Sequence, residues 1–511
     1  MFCIRGRGRL FQRPANGSDR WRYAWLKPVQ SGCGVAVATT LEEQSFKSRW
    51  QLVNTSLNNL ANCLSDLGRR EEALVVAQEA VDLYRALAAA RPDAFTPDLA
   101  TSLNNLAGFL SALGRREEAL AVAQEAADLT RALAAARPDA FTPDLAMSLN
   151  NLANCLSDLG RREEALVVAQ EAVDLYRALA AARPDAFTPD LTTSLNNLAA
   201  FLSALGRREE ALAMAQEAVD LRRTLAAARP DAFAPNLATS LNNLANRLGD
   251  LGRREEALAV AQEAVDNYRA LAAARPDAFT PDLATSLNNL ANRLSDLGRR
   301  EEALAVAQEA VDNYRALAAA RPDAFTPDLA MSLNNLAAFL SDLGRREEAL
   351  VVALEAVDLR RTLAAAQPDA FTPNLAGSLT NLANCLSALG RREEALAVAQ
   401  EAMDLYRTLA AARPEAFSVN LSISLGTFTD LMIAMNDKPR ALETITEAIT
   451  VLTPTFVAMP QAMAQRMRIH LQRYVSLCQE LERDPDAAWL RPVLEVIARL
   501  QQEAGENAGG A

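Results

Sequence analysis

The sequence predicts an all-α protein: a right-handed α-solenoid of about nine 46-residue helix-turn-helix repeats with a C-terminal helical cap. Three observations carry this. The stretch TSLNNLANCLSDLGRREEAL at 55–74 returns as TSLNNLAGFLSALGRREEAL at 101–120, then from 147, 193, 239, 285, 331 and, altered, 377. A fixed period of 20–50 residues marks a solenoid or array. Within each unit the apolar residues recur at helical spacing, and a glycine and a proline interrupt every unit at fixed places.

Residues 1–38 are basic and unlike anything downstream. They lack the long apolar segment of a signal peptide. The expectation is a disordered leader or an upstream start that adds non-native sequence, with a basic arm for an anionic partner as the sharper alternative. The solenoid is placed at 39–452. Thr40-Leu-Glu-Glu43 reads as a capping box that opens an extended first helix through Phe46, Trp50 and Val53.

In the unit from Thr96 to Phe141, Thr96-Pro97-Asp98 reads as a helix start, with a capping hydroxyl, a proline and an acid. Leu99, Leu103, Leu106, Ala107 and Leu110 form one apolar stripe. Gly114 ends this helix of about 17 residues, because glycine takes the left-handed conformation without strain. A second helix of about 21 residues starts near Arg116 with two acids in its first turn. It ends at Arg137 before Pro138, which forbids continuation. A short Pro-Asp-x-Phe link follows, with Phe141 placed to staple the next helix. One such hairpin cannot bury its apolar faces alone, so stacking is required.

The ninth unit keeps the skeleton with Asn436 at the glycine position. Two cap helices are expected at roughly 456–482 and 486–504, within a capping region at 453–504. A flexible tail is expected at 505–511.

Half of the residues are hydrophobic and 23% are charged, as in a folded chain. The net charge of −12 argues against a nucleic-acid partner. No apolar run approaches the roughly 18–20 residues of a membrane span, so no membrane partner is expected. Six cysteines without a CxxC fit reduced, partly buried thiols and a cytoplasmic location; Cys63, Cys155 and Cys385 share one position in three units.

The pattern NLAN…L…G…EEAL…A…A resembles the tetratricopeptide repeat (TPR). The matching residues of the first unit are Leu57, Leu60, Ala61, Leu64, Ala73, Ala77 and Ala80. Two departures stand out. Ala77 replaces an aromatic, and Arg85 replaces a proline, so the second helix runs on. The period exceeds the usual one of about 34 residues and is closer to the longer repeats of kinesin light chain and similar bacterial arrays. The resemblance covers about 50–452.

The first seven units carry tandem asparagines and the eighth keeps only Asn381. Asparagine is a poor helix residue, since its amide competes for backbone hydrogen bonds. The resemblance implies that these positions face the concave groove. There an amide column could hold an extended peptide through its backbone, giving groove candidates Asn59, Asn105, Asn151, Asn197, Asn243, Asn289, Asn335 and Asn381. Alternatively, the amides bond a neighbouring unit and set the stacking register. The two roles are compatible.

Units five and six place Arg247 and Arg293 where others carry Cys or Phe, and change Leu to Asn at 267 and 313. Arginine is rarely buried unpaired, so this position is expected to be partly wet. A polar patch of Arg247, Asn267, Arg293 and Asn313 could anchor a carboxylate or carbonyl; drifted surface residues are the alternative. The Arg-Arg-Glu-Glu runs read as solvated helix starts.

Catalysis has little support. His470 is the sole histidine and reads as a cap-helix residue. None of Lys27, Lys47 and Lys438 follows a phosphate-binding loop. No enzyme activity, cofactor or metal site is expected. The leading function is a non-catalytic protein-protein interaction scaffold that binds an extended peptide segment or partner protein. The alternatives are a self-associating structural solenoid, with a homo-oligomer possible, and a sensor or regulatory array acting with a separate effector protein.

Overall fold

The structure is a computed structural model that describes residues 56–65 and 67–509. The leader, the capping box at Thr40 and the helix through Phe46, Trp50 and Val53 lie outside the described residues. Helix α1 covers 56–65. The later first helices are α3 (Pro92–Ala112), α5 (Pro138–Asp158), α7 (Pro184–Ala204), α9 (Pro230–Asp250), α11 (Pro276–Asp296), α13 (Pro322–Asp342), α15 (Pro368–Ala388) and α17 (Pro414–Ala434). The second helices are α2 (Arg70–Ala90), α4 (Arg116–Ala136), α6 (Arg162–Ala182), α8 (Arg208–Ala228), α10 (Arg254–Ala274), α12 (Arg300–Ala320), α14 (Arg346–Ala366), α16 (Arg392–Ala412) and α18 (Lys438–Ala458). Helices α19 (Pro460–Glu480) and α20 (Ala487–Gly509) close the array. The described residues contain no strand.

The two kinds of helix end differ for local reasons. Between first and second helix the chain turns through glycine, from Gly68 at φ +80° to Gly390 at φ +77°, with Asn436 at φ +63° in the ninth unit. Asparagine is among the few side chains that tolerate this region. Between second and first helix the break is a single residue: Arg137 leaves the helix at φ −142°, and Pro138 starts the next one.

The first helices therefore begin four residues earlier than Thr96 or Thr142. Pro92 occupies the first helical position, where a missing N–H is harmless. Thr96 lies inside the helix, its hydroxyl donating to the Pro92 carbonyl at 2.7 Å. Pro97 also lies inside, forfeiting one bond in the opening turns. The expected Pro-Asp-x-Phe link is thus the first turn of a 21-residue helix. Phe141 does not staple from outside; it sits within that turn, with the Arg137 guanidinium 4.7 Å from its ring centre.

The first C-terminal helix keeps the period. The break falls at Met459, not near 452, and Pro460 stands 46 residues after Pro414. Glu482, at φ +52°, occupies the position that glycine holds in earlier units. Helix α20 starts at Ala487, three residues later than the period would place it, and packs only loosely on α18 and α19, so the two helices form the expected cap; α20 runs through Gly509, past the boundary expected at 504. Helix α17 is long and apolar enough to cross a membrane, with mean hydropathy 1.3 over its most apolar window, although no such run was expected from the sequence. It is packed between α16 and α18, and 56% of that window is buried.

The core runs along the interior of the stack. Leu103, Leu149, Leu195, Leu241, Leu287, Leu333 and Leu379 are each 0% exposed, facing the small Ala119-type residues of the second helices. The small side chains allow close helix approach.

The array also meets itself. A β-carbon on Gly68 would lie 2.9 Å from Cβ of Asp323, and one on Gly114 would lie 2.9 Å from the Ala370 nitrogen. Gly160 faces Ala416 and Gly206 faces Ala462 in the same way, each at 3.3 Å. The superhelix thus completes a turn in between five and six repeats, and successive coils touch. Glycine turns of one coil rest on the first-helix starts of the next, so the helices run roughly along the coil axis.

Candidate binding surface

First helices of successive repeats pack directly against one another, as α3 does on α5 and α7 on α9. That places them on the inside of the curve and the second helices outside. Along α3 the residues left accessible are Thr101, Asn105, Gly108 and Ala112, spaced 4, 3 and 4, one stripe on the inner wall.

The two asparagines of each pair divide their roles. The first is drawn into the contact between neighbouring first helices. Asn104 Nδ2 donates to Ser148 Oγ at 2.8 Å, and Asn196 Nδ2 donates to Ser240 Oγ at 2.9 Å. Ser194 donates to Asn150 Oδ1 at 2.9 Å; Ser286 to Asn242 and Ser332 to Asn288 do so at 3.0 Å. These bonds tie the second to the seventh units together in series. The second asparagine stays on the accessible stripe. Asn59 is exposed; Asn105, Asn151, Asn197, Asn243, Asn289, Asn335 and Asn381 are half-buried. None of the eight hydrogen-bonds to another described residue.

The same stripe carries carboxylates one turn earlier. Burial pushes Asp144, Asp190, Asp282 and Asp328 above the usual carboxylate range. The wall therefore combines a neutral band of amides and hydroxyls with a row of acids near the first-helix starts.

Of the four residues of the expected patch, the structure brings Arg247 and Arg293 near each other, Arg247 feeling the charge of Arg293, and leaves Asn267 and Asn313 apart from them. Arg247 Nη1 lies 3.5 Å from Asp250 and Arg293 Nη1 lies 3.2 Å from Asp296, each arginine on its own helix end. Their side chains are 18% and 16% exposed, partly wet as the residue type requires. Burial pushes Arg247 below its usual range, opposed by Asp250. Asn267 turns back to the Glu263 carbonyl at 2.8 Å. It sits mid-way along α10, whereas Arg247 is near the turn, so antiparallel helix geometry separates them by about 15 Å along the axis. Asn313 has the matching position on α12.

Three features escaped the sequence reading. The Arg293 guanidinium occupies the place where a β-carbon of residue 249 would sit, so Gly249 makes room for the arginine of the next unit. The available signal was the single change of Ser to Gly in that unit. Arg222 and Arg360 are buried where other units bury tyrosine. Arg222 bonds the Pro189 carbonyl at 2.8 Å, and burial pushes it down to about 10. His470 is 1% exposed and packs its ring against Gly426, at the end of the asparagine–serine series. Burial, then Arg473 and Arg466, push it down to about 4.

The Arg-Arg-Glu-Glu turns hold their own charges, as in Arg115 to Glu118 at 2.6 Å. On the outer wall, a further arginine of each second helix reaches a glutamate of the next. The series runs from Arg85–Glu125 at 2.5 Å to Arg407–Glu447 at 2.6 Å.

Such an array of helical hairpins, with an accessible inner wall and inter-repeat bonds on both faces, defines a helical-repeat protein of the scaffold class. Two tetratricopeptide repeat models match it, one at 98–178, 144–224, 190–270 and 328–408, the other at 55–90 and 283–318. Together they cover well over half of the sequence, and the chain belongs to the tetratricopeptide repeat family. No curated protein matches at a significant level. Among solved structures, BtubC (BKLC) from P. vanneervenii is 23% identical, with 48% of this chain and 92% of that one covered at a TM-score of 0.40. A Podosopora anserina structure described as a kinesin light chain with nearly identical TPR-like repeats is 22% identical, covering 44% and 96%, at 0.33. The apo form of RapI is 14% identical, covering 78% and 97%, at 0.46.

Proposed function

We propose that this chain is a non-catalytic scaffold whose inner wall holds an extended segment of a partner protein through its backbone. The observation that supports the reading most is the division within each asparagine pair. One amide is consumed in stacking; the other is left on the wall with donor and acceptor unspent. A column of amides pairs with peptide groups whatever the side chains are. The accessible stripe runs along the inside of a coil with five to six first helices per turn, a continuous lining along which one extended chain can lie. The acids along the wall favour a neutral or basic segment.

The test is affinity capture with cross-linking, comparing wild type with Asn105→Ala/Asn151→Ala/Asn197→Ala. The expected result is a defined set of captured proteins that the variant loses while its thermal melting stays the same. Capture of the same set by both proteins would remove the asparagine column from the account.

A further inference from the structure

Of eight equivalent turn glycines, four are covered and four are bare. Gly68, Gly114, Gly160 and Gly206 meet the next coil, whereas Gly252, Gly298, Gly344 and Gly390 have nothing within 4 Å of an added β-carbon. The opposite edge divides in the same manner. Ala324, Ala370 and Ala416 are half-buried beneath a turn; Ala140, Ala186 and Ala232, at the matching place in earlier units, are exposed, while Ala94 at the first such start is half-buried.

We propose that these two bare edges dock a second copy of this chain, stacked head to tail so that the superhelix continues from one molecule into the next. The bare turns carry the same Gly-Arg-Arg-Glu-Glu as the covered ones, and the bare starts carry the same Pro-Asp-Ala-Phe as those at 322 and 368. Whatever attraction closes the coil within one molecule therefore acts between molecules. Opposite charges meet across the seam, Arg70 with Asp328 and Arg161 with Glu415, although Arg116 feels the repulsion of Arg413 ahead of the attraction of Asp369. On the bare edges Arg300 and Arg346 stand exposed on one side, and Asp93 and Asp139 on the other.

The register follows from the spacing that Pro460 still keeps. A copy whose repeats continue that spacing beyond α19 sets its Asp93 beside Gly298, its Asp139 beside Gly344 and its Asp185 beside Gly390. This contact joins two different surfaces and does not close, so it builds an open series. The intramolecular seam forms first because its edges are tethered at high effective concentration. The intermolecular one appears as concentration rises, and it lengthens the bore.

Sedimentation velocity and light scattering on the full chain, from about 1 µM to about 100 µM, test this. Average mass should climb steadily without a plateau. Asp93→Arg/Asp139→Arg/Asp185→Arg should stay monomeric, with unchanged helix content and melting, because those residues lie outside the intramolecular seam. Arg300→Glu/Arg346→Glu/Arg392→Glu should also stay monomeric, and mixing the two variants should restore pairing. The proposal is overturned by a wild type that is monomeric throughout, by a plateau at dimer, by a first variant that associates like wild type, or by a mixture that does not pair.

Discussion

His470 stands where earlier units place a serine, and Gly426 stands where they place an asparagine. A polar pair has been exchanged for a ring packed on a glycine, which explains a buried histidine with no catalytic neighbour. Its folded value of about 4 lies below the ordinary 6.5. Between those values the unfolded chain binds the proton and the folded chain does not, so stability is present above pH 6.5 and is lost as pH falls toward 4. The loss amounts to about 3 kcal/mol at most. Denaturation at pH 7.5 and 4.5, for wild type and His470→Gln, should show the larger drop in wild type; equal drops would mean the ring is solvated. The sequence placed His470 on a C-terminal helix and ruled out a two-histidine metal site. It could not foretell burial, because the compensating glycine lies 44 residues away. The asparagine pair shows a similar limit. Adjacent helical residues differ by about 100°, so one faces the neighbour and one faces the bore, and the letters alone leave both roles open.

Two sets of bonds knit the elements together, and their settings differ. The inner asparagine–serine bonds are buried: Ser286 is 0% exposed and Asn242 is 7% exposed. The outer arginine–glutamate pairs are solvated, with Arg269 and Glu309 exposed by 45% and 42%. Removing one partner of a buried bond leaves an unsatisfied polar atom, at about 1–3 kcal/mol; an exposed ion pair contributes under about 1 kcal/mol. Urea denaturation should therefore find Ser286→Ala more destabilising than Arg269→Ala. The reverse order would shift the inter-repeat stability to the outer wall. At this scale much was legible from sequence: the hairpin, the glycine turn and the arginine before proline. The first-helix start was misplaced because two prolines, Pro92 and Pro97, each offer a start. The one-residue break at Arg91 decides for the earlier one. The cap helices were legible as well, but not that α19 keeps the repeat spacing, because only Pro460 and Glu482 mark it.

For the whole molecule, the account rests on a tight coil whose turns touch. That property was not legible in the sequence, because coil closure depends on a small rotation per repeat, added up over five to six units. A few degrees of difference in helix packing separate a touching coil from an open one. The consequence for the proposed scaffold is large: a touching coil would draw its asparagine column into a confined channel, whereas an open coil would offer a broad groove. Gly114 and Asp369–Ala370 mark the contact most closely. The most direct measurement is a spin–spin distance between labels on Arg115 and Asp369, attached through unnatural amino acids so that the native cysteines remain. The account predicts a short distance, about 10 Å plus the length of the labels, unchanged on dilution. A distance of around 50 Å, the stretched-out length of five to six first-helix spacings, would contradict it.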